Sequence, residues 1–139
     1  MSPGHRVISA SAGAGKTYQL TLRYITLLAA GADPREIVAL TFSRKAAGEI
    51  FDRIVQRIAD AAADEKERAE LNRELGGERD LSRADLIGFL RAVLRSVPLL
   101  RIGTLDSFFV SVLGAFPFEF GLTSPLELLD DERSVLERE

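Results

Sequence analysis

The 139-residue chain contains no cysteine and only one histidine, His5. Without cysteine there are no disulfide bonds and no thiolate metal sites, and one imidazole argues against a transition-metal centre. No apolar run approaches the roughly 18 residues that a membrane-spanning helix needs, and no apolar leader precedes the first strand-like stretch. These absences predict a globular protein of the cytoplasm.

The chain also lacks an excess of basic residues, since its formal net charge is −3. This charge argues against a small module that binds nucleic acid through bulk electrostatics. Any contact with nucleic acid must therefore come from particular residues that line a groove. The length suffices for one domain with its own core.

Strand-like and helix-like segments alternate along the sequence. Short apolar runs predict buried strands over 6–11, 36–43 and 99–105. Helical spacing of apolar residues predicts helices over 17–29, 45–60, 82–96 and 106–116. This alternation predicts an α/β fold, in which a parallel sheet is flanked by helices.

The same spacing predicts which residues face the core. In the first helix these are Leu20, Tyr24, Leu27 and Leu28. In the second they are Ile50, Phe51, Ile54, Val55 and Ile58, with Arg53 and Arg57 outside the stripe. In the third they are Leu86, Phe89, Leu90, Val93 and Val97. Asp106 and Ser107 are the predicted N-cap residues of the last helix. Residues 60–80 are rich in charge and alanine, which predicts a solvated helix or surface excursion.

A small-residue loop joins the first strand to the first helix. It consists of Ala10, Ser11, Ala12, Gly13, Ala14, Gly15, Lys16 and Thr17. The pattern G-x-x-x-x-G-K-[ST] forms a phosphate cradle from backbone N–H groups and a helix N-terminus, and here Ala10 replaces its first glycine. Lys16 is expected to reach the β- and γ-phosphates, and the Thr17 hydroxyl is expected to bind Mg²⁺.

Two further motifs follow the second and third predicted strands. Ligands of an open parallel sheet lie beyond the carboxyl ends of its strands, so residues 41–45 and 104–108 are expected at the edge that holds the phosphate loop. Hydroxyls, cations and helix N-termini bind DNA phosphates, and Phe108 or Phe109 offers an aromatic face to a base. Thr41 and Ser43 also fit as caps of the next helix, and either phenylalanine also fits a core position.

Together these motifs resemble those of the UvrD/Rep-type superfamily 1 DNA helicases. The similarity is closest to the branch that holds the AddA-like helicase-nucleases together with the RecB-like beta chain of exonuclease V. "ISASAGAGKT" is similar to the phosphate loop of that branch, "ALTFSRKAAGEI" to its next motif, and "GTLDSFF" to its third. The three matches occur in the family's order within residues 6–130.

The resemblance implies a RecA-like P-loop NTPase that uses ATP and Mg²⁺ to move along single-stranded DNA in repair or recombination. It places Arg23 near the nucleotide. It implies DNA contacts by Thr41, Phe42, Ser43, Arg44, Lys45, Thr104, Ser107 and Phe108.

Some residues depart from the family pattern. Ser43 and Arg44 replace the usual Thr-Asn pair, and Asp106 stands where many members have histidine. An acidic side chain repels phosphate, so no DNA contact is expected of Asp106. Asp131 and Glu132 resemble a Walker B pair, but Glu127 interrupts the apolar run before them. No glutamine upstream of the loop is available to read adenine.

These features predict a partial RecA-like domain over residues 1–125, with residues 126–139 opening an inserted helical subdomain. The second RecA-like domain, which supplies an arginine for hydrolysis, is expected elsewhere in a longer helicase. We therefore expect that this chain alone does not complete catalysis. Expected partners are DNA, the rest of the helicase and helicase–nuclease subunits.

Two other functions fit the phosphate loop. One is a small P-loop phosphotransferase, for which residues 60–80 are the only candidate lid, although their acidity suits that role poorly. The other is a degenerate nucleotide-binding subunit without enzymatic activity. Stimulation of ATP turnover by single-stranded DNA distinguishes a helicase from a phosphotransferase.

Overall fold

The computed structural model describes residues 14–76, 80–117, 119 and 121. The elements, in chain order, are α1 (Ala14–Ala29), β1 (Val38–Thr41), α2 (Arg44–Ala63), α3 (Glu65–Leu75), α4 (Arg83–Arg95), a short 3-10 helix (Val97–Leu99), β2 (Arg101–Thr104) and α5 (Leu105–Ala115). The predicted strand over 6–11 and the predicted segment over 126–139 lie outside the described residues. No helix in these ranges is long and apolar enough to cross a membrane.

The two strands pair in parallel, with Val38 opposite Arg101 and Thr41 opposite Thr104. The predicted parallel pairing of the second and third strands is therefore confirmed. Each strand has only four residues, because turns and helix caps occupy the ends of the predicted runs. Helices α2, α3 and α4 form the connection between the strands, as parallel pairing requires.

Helix α2 lies at the centre of the core, where it packs against α1, α3, α4 and both strands. Ile50, Ile54 and Ile58 recur every fourth residue and form one buried face. This confirms the predicted core face. Phe51 and Val55 pack against the same cluster while remaining half-buried.

Two predicted core positions are wrong. Leu20 is 43% exposed, whereas Ile25, which the prediction omitted, is fully buried. The buried stripe of α1 runs instead through Thr21, Tyr24, Ile25 and Leu28, so Leu20 lies to one side of it. Val97 is 46% exposed because α4 ends at Arg95, so the helical spacing no longer applies at that residue.

The interpretation of residues 60–80 as a solvated excursion is also wrong in part. Helix α2 continues to Ala63, and Asp64 begins α3 by accepting hydrogen bonds from the N–H groups of Lys66 and Glu67 at 2.8 and 3.1 Å. Leu71 of α3 is fully buried in the core cluster. Helix α3 therefore folds back onto α2 and forms part of the packed structure.

Candidate functional site

The carboxyl ends of β1 and β2 lie side by side and lead into two helices. Thr41 and Thr104 are paired in the sheet register. Helix α2 begins three residues after Thr41, and α5 begins directly after Thr104. We call residues 41–45 and 104–108 the strand-end edge, and the predicted meeting of these two motifs is confirmed.

The first half of the strand-end edge is cationic and exposed. Ser43 is the N-cap of α2, and its Oγ accepts a hydrogen bond from the N–H of Ala46 at 3.1 Å. The capping interpretation of Ser43 is thus confirmed. Arg44 and Lys45 follow in the first turn, which contains no acidic residue and is exposed at both cations. A helix N-terminus with this charge favours an anion beside it.

The second half of the edge is a reciprocal cap. Thr104 Oγ1 accepts from the N–H of Ser107 at 3.2 Å, and Ser107 Oγ accepts from the N–H of Thr104 at 3.1 Å. The prediction that Asp106 or Ser107 is the N-cap is therefore wrong. Because β2 passes into α5 without a loop, the last strand residue must satisfy the first N–H groups of the helix.

Gly103 leaves the space that the Ser107 hydroxyl occupies. A Cβ at position 103 would lie 3.1 Å from Ser107 Oγ, which is closer than ordinary van der Waals contact. Thr104 is 9% exposed, so the hydroxyls of this cap are largely engaged within the protein. The Gly103-Thr104 sequence thus fixes the start of α5.

Two phenylalanines, Phe42 and Phe108, belong to the strand-end edge, and Phe109 directly follows it. Phe42 is 91% exposed, directly between Thr41 and the capping Ser43. Phe109 is 58% exposed, and its ring meets the half-buried Phe108 edge-on with centroids 6.1 Å apart. Neither Phe108 nor Phe109 is fully buried in the described structure. The alternative that one of them occupies a core position therefore holds only in part, for the half-buried Phe108. The most accessible ring is that of Phe42.

A cavity of about 350 Å³ adjoins the edge between α2, β2 and α5. Its polar lining comes from Arg44, Thr104 and Ser107, and its apolar wall includes Phe51 and Ile102. This volume is at the small end of ligand sites in proteins. The cavity therefore places an apolar recess next to the cationic first turn of α2.

Residues 10–13 of the predicted phosphate loop, Ala10 to Gly13, lie outside the described residues. The remainder begins α1, where Gly15 and Lys16 are exposed and the first turn carries no acidic residue. A Cβ at Gly15 would meet no described atom within 4 Å, so the backbone there is open to a ligand. Thr17 is half-buried, and its carbonyl accepts from Thr21 Oγ1 at 2.9 Å.

Arg23 lies seven residues after Lys16, which puts both on one face of α1. By contrast, Tyr18 lines a recess with Arg53 from the middle of α2. Arg53 is nine residues beyond Arg44, or roughly 14 Å along the helix axis. The expected common edge for the phosphate loop and the strand ends therefore depends on residues 10–13 and stays a prediction.

No three ligating side chains of histidine, cysteine, aspartate or glutamate come together within the described ranges. Oxygen ligands from hydroxyls, phosphates and water suit Mg²⁺, which usually takes few protein ligands. Thr17 is half-buried and carries such a hydroxyl, so it is compatible with that mode of binding.

A helix with Gly-Lys-Thr in its first turn, together with two motifs at the carboxyl ends of parallel strands, is typical of P-loop nucleotide-binding proteins. The family described as UvrD/REP helicase N-terminal domain matches residues 2–138. The chain belongs to this family, which confirms the resemblance drawn from its three motifs.

Several curated relatives are named as the A-type subunit of an ATP-dependent helicase/nuclease. The protein from Streptococcus suis (strain 98HAH33) is 31% identical over 127 residues, which is 91% of this chain and 9% of the relative. The protein from Streptococcus sanguinis (strain SK36) is 32% identical over 136 residues, which is 96% of this chain and 10% of the relative. The protein from Lactobacillus johnsonii is 30% identical over 126 residues, which is 91% of this chain and 9% of the relative. The chain thus spans about a tenth of the length of these relatives.

Proposed function

We propose that the chain is the ATP-binding front segment of a DNA helicase or translocase that acts in repair or recombination. The helicase family and the names of the relatives support this function. The observation that carries it is the pairing of Thr41 with Thr104, which brings two helicase motifs to one edge. The corresponding fold is a partial RecA-like domain over residues 1–125, followed by the start of an inserted helical subdomain.

In this proposal ATP binds where α1 begins. The backbone of Ala10 to Gly15 surrounds the phosphates, and Lys16 neutralises the β- and γ-phosphate charge. Arg23 lies on the same face of α1, two turns further along. Mg²⁺, when bound, neutralises phosphate charge, and Thr17 would hold it. The exposed Lys16, the open backbone at Gly15 and the absence of acid in the first turn of α1 fit these roles.

Single-stranded DNA lies across the strand-end edge in the same proposal. Arg44 and Lys45 contact phosphate at the N-terminus of α2, and Thr41 and Ser43 lie beside them. Phe42 offers a face for stacking, which typically contributes about 1–3 kcal/mol per base.

On the α5 side, Thr104 and Ser107 hold the first turn in position, and the Phe108 ring forms part of the edge. The rest of the helicase and any nuclease subunits complete the motor, which we expect to act in the cytoplasm.

The nucleotide site is tested by Lys16→Ala in the product of the complete reading frame. We expect loss of productive ATP binding because the main cation for the β- and γ-phosphates is removed. Titration with a fluorescent, non-hydrolysable ATP analogue measures the dissociation constant. Lys66→Ala, which removes an exposed lysine on α3, is the matched control. Unchanged affinity in Lys16→Ala would overturn the phosphate-loop assignment.

The DNA site is tested by Lys45→Ala and Phe42→Ala, with the same control. Lys45→Ala is expected to weaken oligo-dT binding. It should also reduce the slope of the logarithm of the binding constant against the logarithm of the salt concentration by about one, because one phosphate contact is lost. Phe42→Ala is expected to weaken binding by about 1–3 kcal/mol with little change in salt dependence. Fluorescence anisotropy at several salt concentrations separates the two effects. Equal loss of DNA and ATP affinity would instead indicate misfolding.

A further inference from the structure

A polar network joins the start of α1 to the hairpin formed by α2 and α3. The Tyr18 hydroxyl donates a hydrogen bond to Oε1 of Glu74, near the end of α3. The other oxygen of the same carboxylate accepts from Arg57 Nη2 of α2 at 3.0 Å. Arg57 Nη1 in turn donates to Glu67 at 2.6 Å. Both oxygens of Glu74 are therefore used, one by α1 and the other by α2.

The centre of the network, Arg57 with Glu74, is largely buried, whereas Tyr18 and Glu67 lie nearer the surface and are 38% and 43% exposed. The side chains of Arg57 and Glu74 are 18% and 20% exposed, although the sequence predicted Arg57 outside the core stripe. Burial acts to lower the pKa of Arg57, but the hydrogen bonds that Arg57 donates to Glu74 and Glu67 outweigh it and raise that pKa. The pKa of Tyr18 is raised chiefly because its hydroxyl donates to the Glu74 carboxylate.

The position of Tyr18 gives the network its significance. Tyr18 directly follows Thr17, in the first turns of α1. From Gly15 onward, Gly15 and Lys16 are exposed, Thr17 is half-buried, and the first side chain that is buried is that of Thr21. The bond from Tyr18 to Glu74 thus connects this turn to the packed α2–α3 hairpin one residue after the predicted Mg²⁺ ligand.

We propose that Tyr18 and Glu74 are positioning residues for nucleoside triphosphate binding, with Arg57 and Glu67 holding Glu74 in place. This inference rests on the proposed function. The N–H groups that receive phosphate belong to the first turn of the helix, and their direction depends on how that turn is anchored. By tying the Tyr18 hydroxyl to Glu74 of α3, the network holds the backbone of Lys16 and Thr17 in the orientation that phosphate requires.

The test compares two tyrosines of the same helix in the product of the complete reading frame. Tyr18→Phe removes the hydroxyl that binds Glu74. Tyr24→Phe is the matched control, because the buried Tyr24 hydroxyl has no hydrogen-bond partner among the described residues. We expect Tyr18→Phe to weaken binding of a non-hydrolysable ATP analogue about threefold to tenfold, as loss of one hydrogen bond allows. Tyr24→Phe should leave the affinity unchanged.

A double-mutant cycle separates positioning from general stability. Glu74→Ala, which leaves no acceptor for the Tyr18 hydroxyl, and the double variant Tyr18→Phe/Glu74→Ala should bind the analogue about as weakly as Tyr18→Phe alone, because all three break one connection. The KM for ATP should rise while kcat at saturating ATP is preserved. Affinity equal to wild type in Tyr18→Phe, or additive losses in the cycle, would overturn the inference. If Lys16→Ala also retained full affinity, the proposed function itself would fail, so the two failures are distinguishable.

Discussion

Thr104→Val removes one hydroxyl from the start of α5 while keeping the shape of the side chain. The hydroxyl accepts from the N–H of Ser107 at 3.2 Å and lies 3.0 Å from Ser107 Oγ. Loss of an N-cap acceptor costs about 1 kcal/mol, and the buried setting of Thr104 raises the expected cost to about 1–2 kcal/mol. The bond from the Thr104 N–H to Ser107 Oγ at 3.1 Å persists, which limits the loss.

Thr41→Val is the matched control, since Thr41 is the partner of Thr104 in the sheet register. Thr41 caps no helix, so its substitution should change the free energy of unfolding by less than about 0.5 kcal/mol. Urea unfolding of the 139-residue chain, followed by circular dichroism, measures both variants. Equal stability of Thr104→Val and wild type would refute the capping account, as would equal losses in the two variants.

Two further perturbations test other parts of the structure. Leu71→Ala in α3 should lower the free energy of unfolding by about 2–5 kcal/mol, because it leaves a cavity in the core. Leu99→Ala, at a site that is 60% exposed, should change it little. Equal effects of the two substitutions would mean that α3 is not packed against the core. Asp33 has a pKa of about 2, below its ordinary 3.8, because Arg35 donates hydrogen bonds to it. The contribution of the Asp33 carboxylate to the free energy of unfolding is therefore full above pH 4 and is lost as pH falls through 2. In acid titrations of unfolding, the stability difference between wild type and Asp33→Asn should vanish over that range. A difference independent of pH would contradict the pairing.

The periodicity of the sequence predicted α2 well and α1 less well, for a physical reason. Around α2, charged residues separate the isoleucines, so only one face can be buried. In α1 the segment after Thr17 has apolar residues on several faces, including Leu20, Leu22 and Ile25. Such a helix has no unique buried face, and its packing against α2 selects the one that contains Ile25.

The fold of residues 60–80 could not be predicted from local sequence. Leu71 is the one fully buried side chain of α3, so the helix shows almost no apolar stripe. Besides Leu71, α3 is held by ion pairs from Arg57 to Glu67 and Glu74, which lie 10 and 17 residues away. Periodicity within one helix does not reveal such pairs. The available signal is that Glu67 and Glu74 are seven residues apart, which puts both on one face of α3 where an arginine of α2 can meet them.

The candidate site was more predictable than the core. Alternation of strands and helices was enough to place Thr41 and Thr104 at one edge. The choice of Thr104 over Asp106 as N-cap depended on where β2 ends, which a run of small and apolar residues does not specify. The high exposure of Phe42 also follows from that geometry, since it stands between the last strand residue and the cap of α2.

The central claim, that ATP bound at Lys16 drives movement on DNA, is tested most directly by ATP turnover. The product of the complete reading frame and its Lys16→Ala variant are assayed with and without single-stranded DNA, beside the 139-residue chain. The account predicts strong stimulation of the wild-type product by DNA, none in Lys16→Ala and no comparable turnover by the chain alone. Turnover that is indifferent to DNA would contradict it and favour transfer of phosphate to a small acceptor.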